Sequence, residues 1–280
     1  LKKNGIPGCE CIVYHKHKRV LSHIAGYDEN SELKSSPGKN IYWLYSATKL
    51  ITCTAVMQLI EKGHIGLDDA VSDYLPEYGD MMVKHDSGVR KAQNAITIRH
   101  LLTMQSGLNY NLEAPSIIKA IENTNGTADT RQIIEALANE PLEFEPGTHF
   151  LYSLSHDVLG AVIEAVSGMK LGKYFEQYIF KPLSMKNTGF NLTPELEAKM
   201  AKQFDYRPDT WSSVKIPKKN RYVLTKNYES GGAGLYSTAD DYILFLDAMC
   251  NGGTSADGYR LLSGQTIDLM REDQLKGDSK

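Results

Sequence analysis

The chain has 280 residues, of which 41% are hydrophobic and 23% charged, with a formal net charge of −3. A chain of this length buries about 75% of the surface its unfolded form exposes, enough to enclose a deep, dry pocket. Thirty-one basic residues against 34 acidic ones exclude the concentrated positive charge that a phosphate backbone requires, so nucleic acid is not an expected partner.

No Gly/Ser-rich or Pro-rich linker divides the chain, so the expectation is one body with two lobes, the second carried as an insertion. No apolar run approaches the ~20 residues of a membrane span. The chain begins at Leu1 rather than Met, which leaves room for a removed signal peptide; the compartment stays open, with the cytoplasm favoured. Cys9 and Cys11 stand two apart in a strand-like stretch, on one face but too distant for an ordinary disulfide, and Cys53 falls in a helical pattern. The eight histidines form no HExxH and no Cys/His ligand spacing, so neither a metal nor another cofactor is expected.

In chain order, Cys11 to Tyr14 and Val20 to Ala25 are apolar runs joined by the polar turn His15 to Arg19, which predicts a β-hairpin. An apolar lead-in from Ile41 to Tyr45 is followed by Leu50, Cys53, Met57 and Ile60 at spacings of three and four. This predicts an amphipathic helix that starts at or beside Ser46 and stops at Gly63. Between about 66 and 221 the patterns are mostly helical: Thr97 to Met104, Thr130 to Ala138, Ser155 to Val166 ending at Gly168, and Leu171 to Ile179. The basic run Lys215, Lys218, Lys219 and Arg221, broken by Pro217 and Asn220, reads as a solvated loop. Gly231, Gly232 and Gly234 then lead to Thr238, which with Asp241 three residues on marks a helix start. The predicted architecture is α+β: residues 1–65 and 222–280 form a discontinuous sheet domain, and residues 66–221 a helical insertion.

Ser-x-x-Lys occurs six times, beginning at Ser31, Ser36, Ser46, Ser116, Ser167 and Ser212. Ser46 alone combines an apolar lead-in with the first turn of a long helix. There, residues three apart have Cβ atoms about 5–6 Å from each other, so the Lys49 amine reaches the Ser46 hydroxyl. A lysine drawn against apolar neighbours loses hydration, which favours its neutral, proton-accepting form. Unpaired N–H groups at the helix start can hold an oxyanion. The competing local reading is an ordinary helix cap followed by an exposed lysine.

Ser46-Ala47-Thr48-Lys49 sits in a chain that resembles the family of class C β-lactamases, DD-peptidases and related β-lactamase-fold esterases along nearly its whole length. EKGHIGLDDAVSDYLPE (61–77) is similar to the segment after the nucleophile helix, and ITIRHLLTMQSGL (96–108) to a further block, with Met104-Gln105 where His-Thr is commoner. FEPGTHFLYSLSHDVLG (144–160) resembles the segment that supplies a catalytic tyrosine, while KPLSMKNTGF (181–190) and GGAGLYST (231–238) match later blocks. The resemblance implies a β-lactamase/transpeptidase-like fold, an antiparallel sheet flanked by helices, and three site residues. Ser46 is the implied acylated nucleophile, Lys49 its base and Tyr152 the third catalytic group, since a phenol beside an ammonium can relay a proton.

Two departures refine this expectation. The lactamases and peptidases carry Tyr-x-Asn, whereas Tyr152-Ser153-Leu154 offers no side-chain amide to a substrate amide, which points to the esterase branch. No Lys-Thr-Gly, His-Thr-Gly or similar His-x-Gly triplet follows Gly231. The family places that triplet on a strand that also supplies the second oxyanion N–H. Either further residues complete the sheet beyond 280 or the site lacks a donor, at a cost of about 10²–10³ in rate. The expected activity is a serine carboxylesterase acting on small esters. The alternatives are a β-lactamase or DD-peptidase acting on a lactam or peptide amide, and a non-catalytic penicillin-binding or sensing domain; oligomeric state stays open.

Overall fold

The computed structural model describes residue 5, residues 7–26 and residues 40–275. The chain divides into two compact units, residues 1–44 with 177–221 and 235–263, and residues 45–176 with 222–234 and 264–280.

In the first unit, strands β1 (Gly8–His15) and β2 (Lys18–Gly26) form the expected hairpin, in antiparallel register from Gly8 opposite Gly26 to His15 opposite Lys18. Its two-residue turn, Lys16-His17, has both φ angles positive, the geometry that matches the right-handed twist of the strands. Strand β3 (Ile41–Trp43) pairs antiparallel with β8 (Tyr236–Thr238), and Ile41, Met200 and Tyr236 form a buried cluster beside them. Thr238 accepts a hydrogen bond from the Asp241 N–H at 3.1 Å and so caps α8 (Ala239–Cys250), as its spacing predicts. Helix α8 packs on β1, and the hairpin turn is tied to it by His17 and Asp247 at 2.7 Å.

The second unit is built around α5 (Ser155–Ser167). Val158, Leu159, Ala161, Val162 and Ile163 are wholly buried against α1 (Thr48–Glu61), α2 (Ile98–Leu102), α4 (Thr130–Leu137) and α6 (Leu171–Phe175). Helix α3 (Pro115–Asn123) packs on α4, and α9 (Gly264–Arg271) belongs to the same unit. Helix α5 stops at Gly168, φ +68°, a left-handed terminator that glycine adopts without steric penalty.

Two expectations need correction. Helix α1 is not amphipathic: Ile51, Thr52, Thr54, Ala55, Val56, Gln58 and Leu59 are buried around its circumference, because α5 and α6 both pack on it. A helix buried on most of its sides is an interior helix, and here the buried set includes polar Thr52, Thr54 and Gln58. The stretch 66–221 is not all helical: it contains the hairpins β4 (Met82–His85) with β5 (Gly88–Lys91), and β6 (Gln203–Arg207) with β7 (Ser212–Ile216). The Lys215 of the basic run therefore lies on a strand. In the division into compact units, α1 and α9 group with the helices of the second unit, and 177–221 with the strands of the first. Remaining elements are α7 (Pro194–Ala198) and a π-turn at Glu176–Phe180 that extends α6.

Candidate active site

After β3 the chain passes through Tyr45, whose φ of +46° is a left-handed conformation rare for a bulky residue. It then enters a 3₁₀ turn, Tyr45–Ala47, that leads directly into α1. This bend leaves Ser46 exposed at the head of the helix, while Lys49, one turn on, is 8% exposed.

The strip before α5 is pinned by two backbone bonds. The Leu151 N–H donates to the Met104 carbonyl at 2.9 Å and the Leu154 N–H to the Asn109 carbonyl at 3.0 Å. Between those anchors Tyr152 projects outward, 45% exposed. Its hydroxyl lies 2.5 Å from the Ser46 Oγ. The Lys49 Nζ lies 3.4 Å from the same Oγ and 4.7 Å from the centre of the Tyr152 ring. The three residues named from the sequence are thus brought together.

The other serines are not so placed. Ser116 lies in α3, but Lys119 is exposed. The Ser167 hydroxyl donates to the Ile163 carbonyl at 2.6 Å, and Lys170 pairs with Asp129 at 2.7 Å. Ser212 and Lys215 lie three apart on β7, an odd spacing that points them to opposite faces. Ser31 and Ser36 lie outside the described residues.

Several groups at the site carry no signal in the sequence pattern. Tyr110, next to the Asn109 anchor, stacks on Tyr152 with ring centres 5.5 Å apart and planes 10° from parallel; its hydroxyl is 3.5 Å from the Lys49 Nζ. Tyr222 packs edge-on against both Tyr110 and Tyr45, at 5.6 and 5.9 Å. The shortest polar contact of Lys49 is to a backbone group, the Gly232 carbonyl at 2.8 Å. Thr52, one turn along α1 from Thr48, donates to the Gly231 carbonyl at 2.7 Å.

Beneath this layer lie buried ionisable groups. His156 contacts the Cys53 Sγ through Nε2 at 3.1 Å. Burial, with the Lys49 charge adding to it, pushes the imidazole down to about 3. Burial pushes the Cys53 thiol up to about 12, against the opposing effect of Lys49. The fully buried Asp157 carboxyl is raised by desolvation, while its hydrogen-bond donors and Lys49 act the other way. Among the described residues no three His, Cys, Asp or Glu side chains cluster to hold a metal ion, and no helix is long and apolar enough to cross a membrane.

The family described as Beta-lactamase matches residues 1–279. The chain belongs to the beta-lactamase family. Among curated members of similar sequence, esterase EstB from Burkholderia gladioli is 29% identical over 269 residues, covering 89% of this chain and 67% of EstB. Two solved structures share the fold. Simvastatin synthase LovD from Aspergillus terreus matches with a TM-score of 0.78 and 27% identity over 98% of this chain and 70% of LovD. EstCE1, a hydrolase with promiscuous acyltransferase activity, matches with a TM-score of 0.75 and 28% identity over 97% and 73%. The β-lactamase/transpeptidase-like α+β fold expected from the sequence is therefore the fold of this chain, which spans roughly two thirds to three quarters of these relatives.

Proposed function

We propose that this member of the beta-lactamase family is a serine carboxylesterase that forms an acyl-enzyme on Ser46, with Lys49 and Tyr152 moving the proton. One observation carries the reading: the Tyr152 hydroxyl at 2.5 Å and the Lys49 amine at 3.4 Å converge on the Ser46 Oγ at the head of α1. Serine is a weak nucleophile until a neighbouring base takes its proton. Here Ser46 gives up that proton as it attacks the ester carbonyl: Lys49, acting in its neutral form 3.4 Å from Oγ, takes it, and Tyr152, in contact with the same Oγ, hands it on toward the leaving group. Collapse of the tetrahedral intermediate breaks the bond to the leaving alkoxide, which takes up the same proton. Water then attacks the acyl-enzyme by the reverse proton route, freeing the acid and Ser46.

The esterase reading over a lactamase or peptidase rests on residue 154. The Leu154 side chain is 3% exposed and its N–H is used by Asn109, so the residue offers no amide donor to a substrate amide, and an ester needs none. The rings of Tyr45, Tyr110, Tyr152 and Tyr222 give the surroundings of Ser46 an apolar character that suits an acyl chain.

Substrate profiling tests this. A nitrophenyl ester of a short fatty acid is expected to turn over, with activity lost in Ser46→Ala and lowered about 10²- to 10⁴-fold in Tyr152→Phe. Preferential opening of a chromogenic cephalosporin would replace the esterase reading with the lactamase one. Acylation without turnover would favour a binding or sensing domain.

A further inference from the structure

The groups described so far touch Ser46 or one another, but the shortest contact of Lys49, the Gly232 carbonyl, is itself held in place from below. Gly232 presents two polar groups: its carbonyl accepts from Lys49 at 2.8 Å, and its N–H donates to the Asp157 Oδ1 at 3.3 Å. The same Oδ1 accepts from the Ser230 hydroxyl at 2.5 Å and the Tyr228 hydroxyl at 2.8 Å. Ser230 in turn accepts from the Ala233 N–H at 3.0 Å. One carboxylate oxygen, wholly buried in the first turn of α5, thus gathers the segment 228–233.

Sterics reinforce the hydrogen bonds. A Cβ on Gly232 would lie 2.4 Å from the Asp157 Oδ2, and one on Gly231 would lie 2.4 Å from the His156 carbonyl oxygen. Both residues are therefore confined to glycine by the start of α5. Among the described residues Oδ2 has no hydrogen-bond partner, and it sits against this glycine backbone. Leaving a buried oxygen without a donor costs on the order of 1–3 kcal/mol, and more for a charged group.

We propose that Asp157 is a positioning residue for Lys49, which it aims at Ser46 through the backbone of Gly232. The inference rests on the reading of Lys49 as the proton-transfer partner of Ser46. A terminal amine on four methylenes has wide rotational freedom. Anchoring it on a fixed carbonyl narrows that freedom to the orientation from which it reaches Oγ, and misplacement by about 1 Å is worth up to about 10² in rate. Asp157 is too deeply buried to touch substrate, so its effect falls on the chemical step rather than on binding.

The test compares wild type with Asp157→Asn, which keeps the Oδ1 acceptor shared by Ser230, Tyr228 and Gly232 but removes the charge and puts an amide NH₂ at the Oδ2 position, against the Gly232 backbone. The expected result is a folded protein whose kcat on a nitrophenyl ester falls roughly tenfold to a hundredfold, with KM within about twofold and fluorophosphonate labelling slowed in parallel. Should Asp157→Asn fail to fold, Ser230→Ala removes a single donor and is expected to give a smaller loss of the same kind. Unchanged kcat in the folded variant, or a rise in KM alone, would overturn the proposal. The ε-¹³C NMR signal of Lys49, assigned with Lys49→Arg, separates this idea from the activity reading. It is expected to move in the Asp157 variant even if wild type turns over no ester, and an unmoved signal would contradict the proposal. Wild type that resists the probe while the signal still moves would sink the Ser46 reading alone.

Discussion

Tyr110 and Tyr152 lie face to face, ring centres 5.5 Å apart and 10° from parallel, and the Lys49 ammonium stands 5.4 and 4.7 Å from the two ring centres. Tyr152 is the more exposed partner, and the stack on Tyr110 is one of the contacts that hold its ring near Ser46. A stacked aromatic pair contributes about 0.5–1.5 kcal/mol beyond its buried area. Tyr110→Ala is expected to lower kcat on a nitrophenyl ester roughly tenfold, in line with that energy. Tyr110→Phe, which keeps the ring and removes the hydroxyl that lies 3.5 Å from Lys49, is expected to stay within a fewfold of wild type. Equal losses in the two variants would assign the effect to the hydroxyl rather than the stack.

The loop that anchors Tyr152 depends on a glycine. Gly107 has φ +83°, and a Cβ there would lie 2.4 Å from the backbone oxygen of Phe144. Gly126 has a similar φ of +77° but nothing within 4 Å of its Cβ position. Gly126→Ala is expected to lose about 1–2 kcal/mol from the left-handed conformation alone. Gly107→Ala is expected to lose clearly more, because backbone cannot move aside as a side chain does, and to lower kcat as the Met104–Asn109 segment shifts. Urea unfolding of both variants checks the ordering; equal losses would contradict it.

Acid sensitivity follows from His156. In the folded protein the imidazole stays neutral down to about 3, whereas in an unfolded chain it takes a proton near 6.5. Its contribution to stability is complete above about 6.5. It is lost as pH falls from there toward 3, at up to about 1.4 kcal/mol per pH unit. Denaturant midpoints measured across the acid range should fall less steeply in His156→Gln than in wild type. Parallel slopes would show that other groups govern acid unfolding.

Much of this architecture was legible in the sequence where a local signal marks it. The hairpin of β1 and β2, the helix start after Ser46, the stop at Gly168 and the Thr238 cap all carry local signals that the structure keeps. The hairpins β4–β5 and β6–β7 did not show, because their strands of four or five residues, interleaved with charged side chains, are too short to establish a pattern as the eight and nine residues of β1 and β2 do. For the site, Ser46, Lys49 and Tyr152 stood out through the resemblance rather than through their own pattern. Tyr110, Tyr222, Asp157 and Gly232 reach Lys49 or its neighbours across 61 to 183 residues of chain, and no local spacing encodes such a meeting. The available signal was position: Asp157 and Gly232 lie inside the blocks 144–160 and 231–238, and Tyr110 follows the block 96–108 by two residues.

The central claim is that Ser46 is an activated nucleophile. Treating the protein with excess fluorophosphonate and recording the intact mass, with Ser46→Ala in parallel, tests it most directly. The account predicts a single stoichiometric adduct on the wild-type chain and none on Ser46→Ala. A folded wild-type protein that takes up no probe, or an adduct that persists in Ser46→Ala, would contradict it.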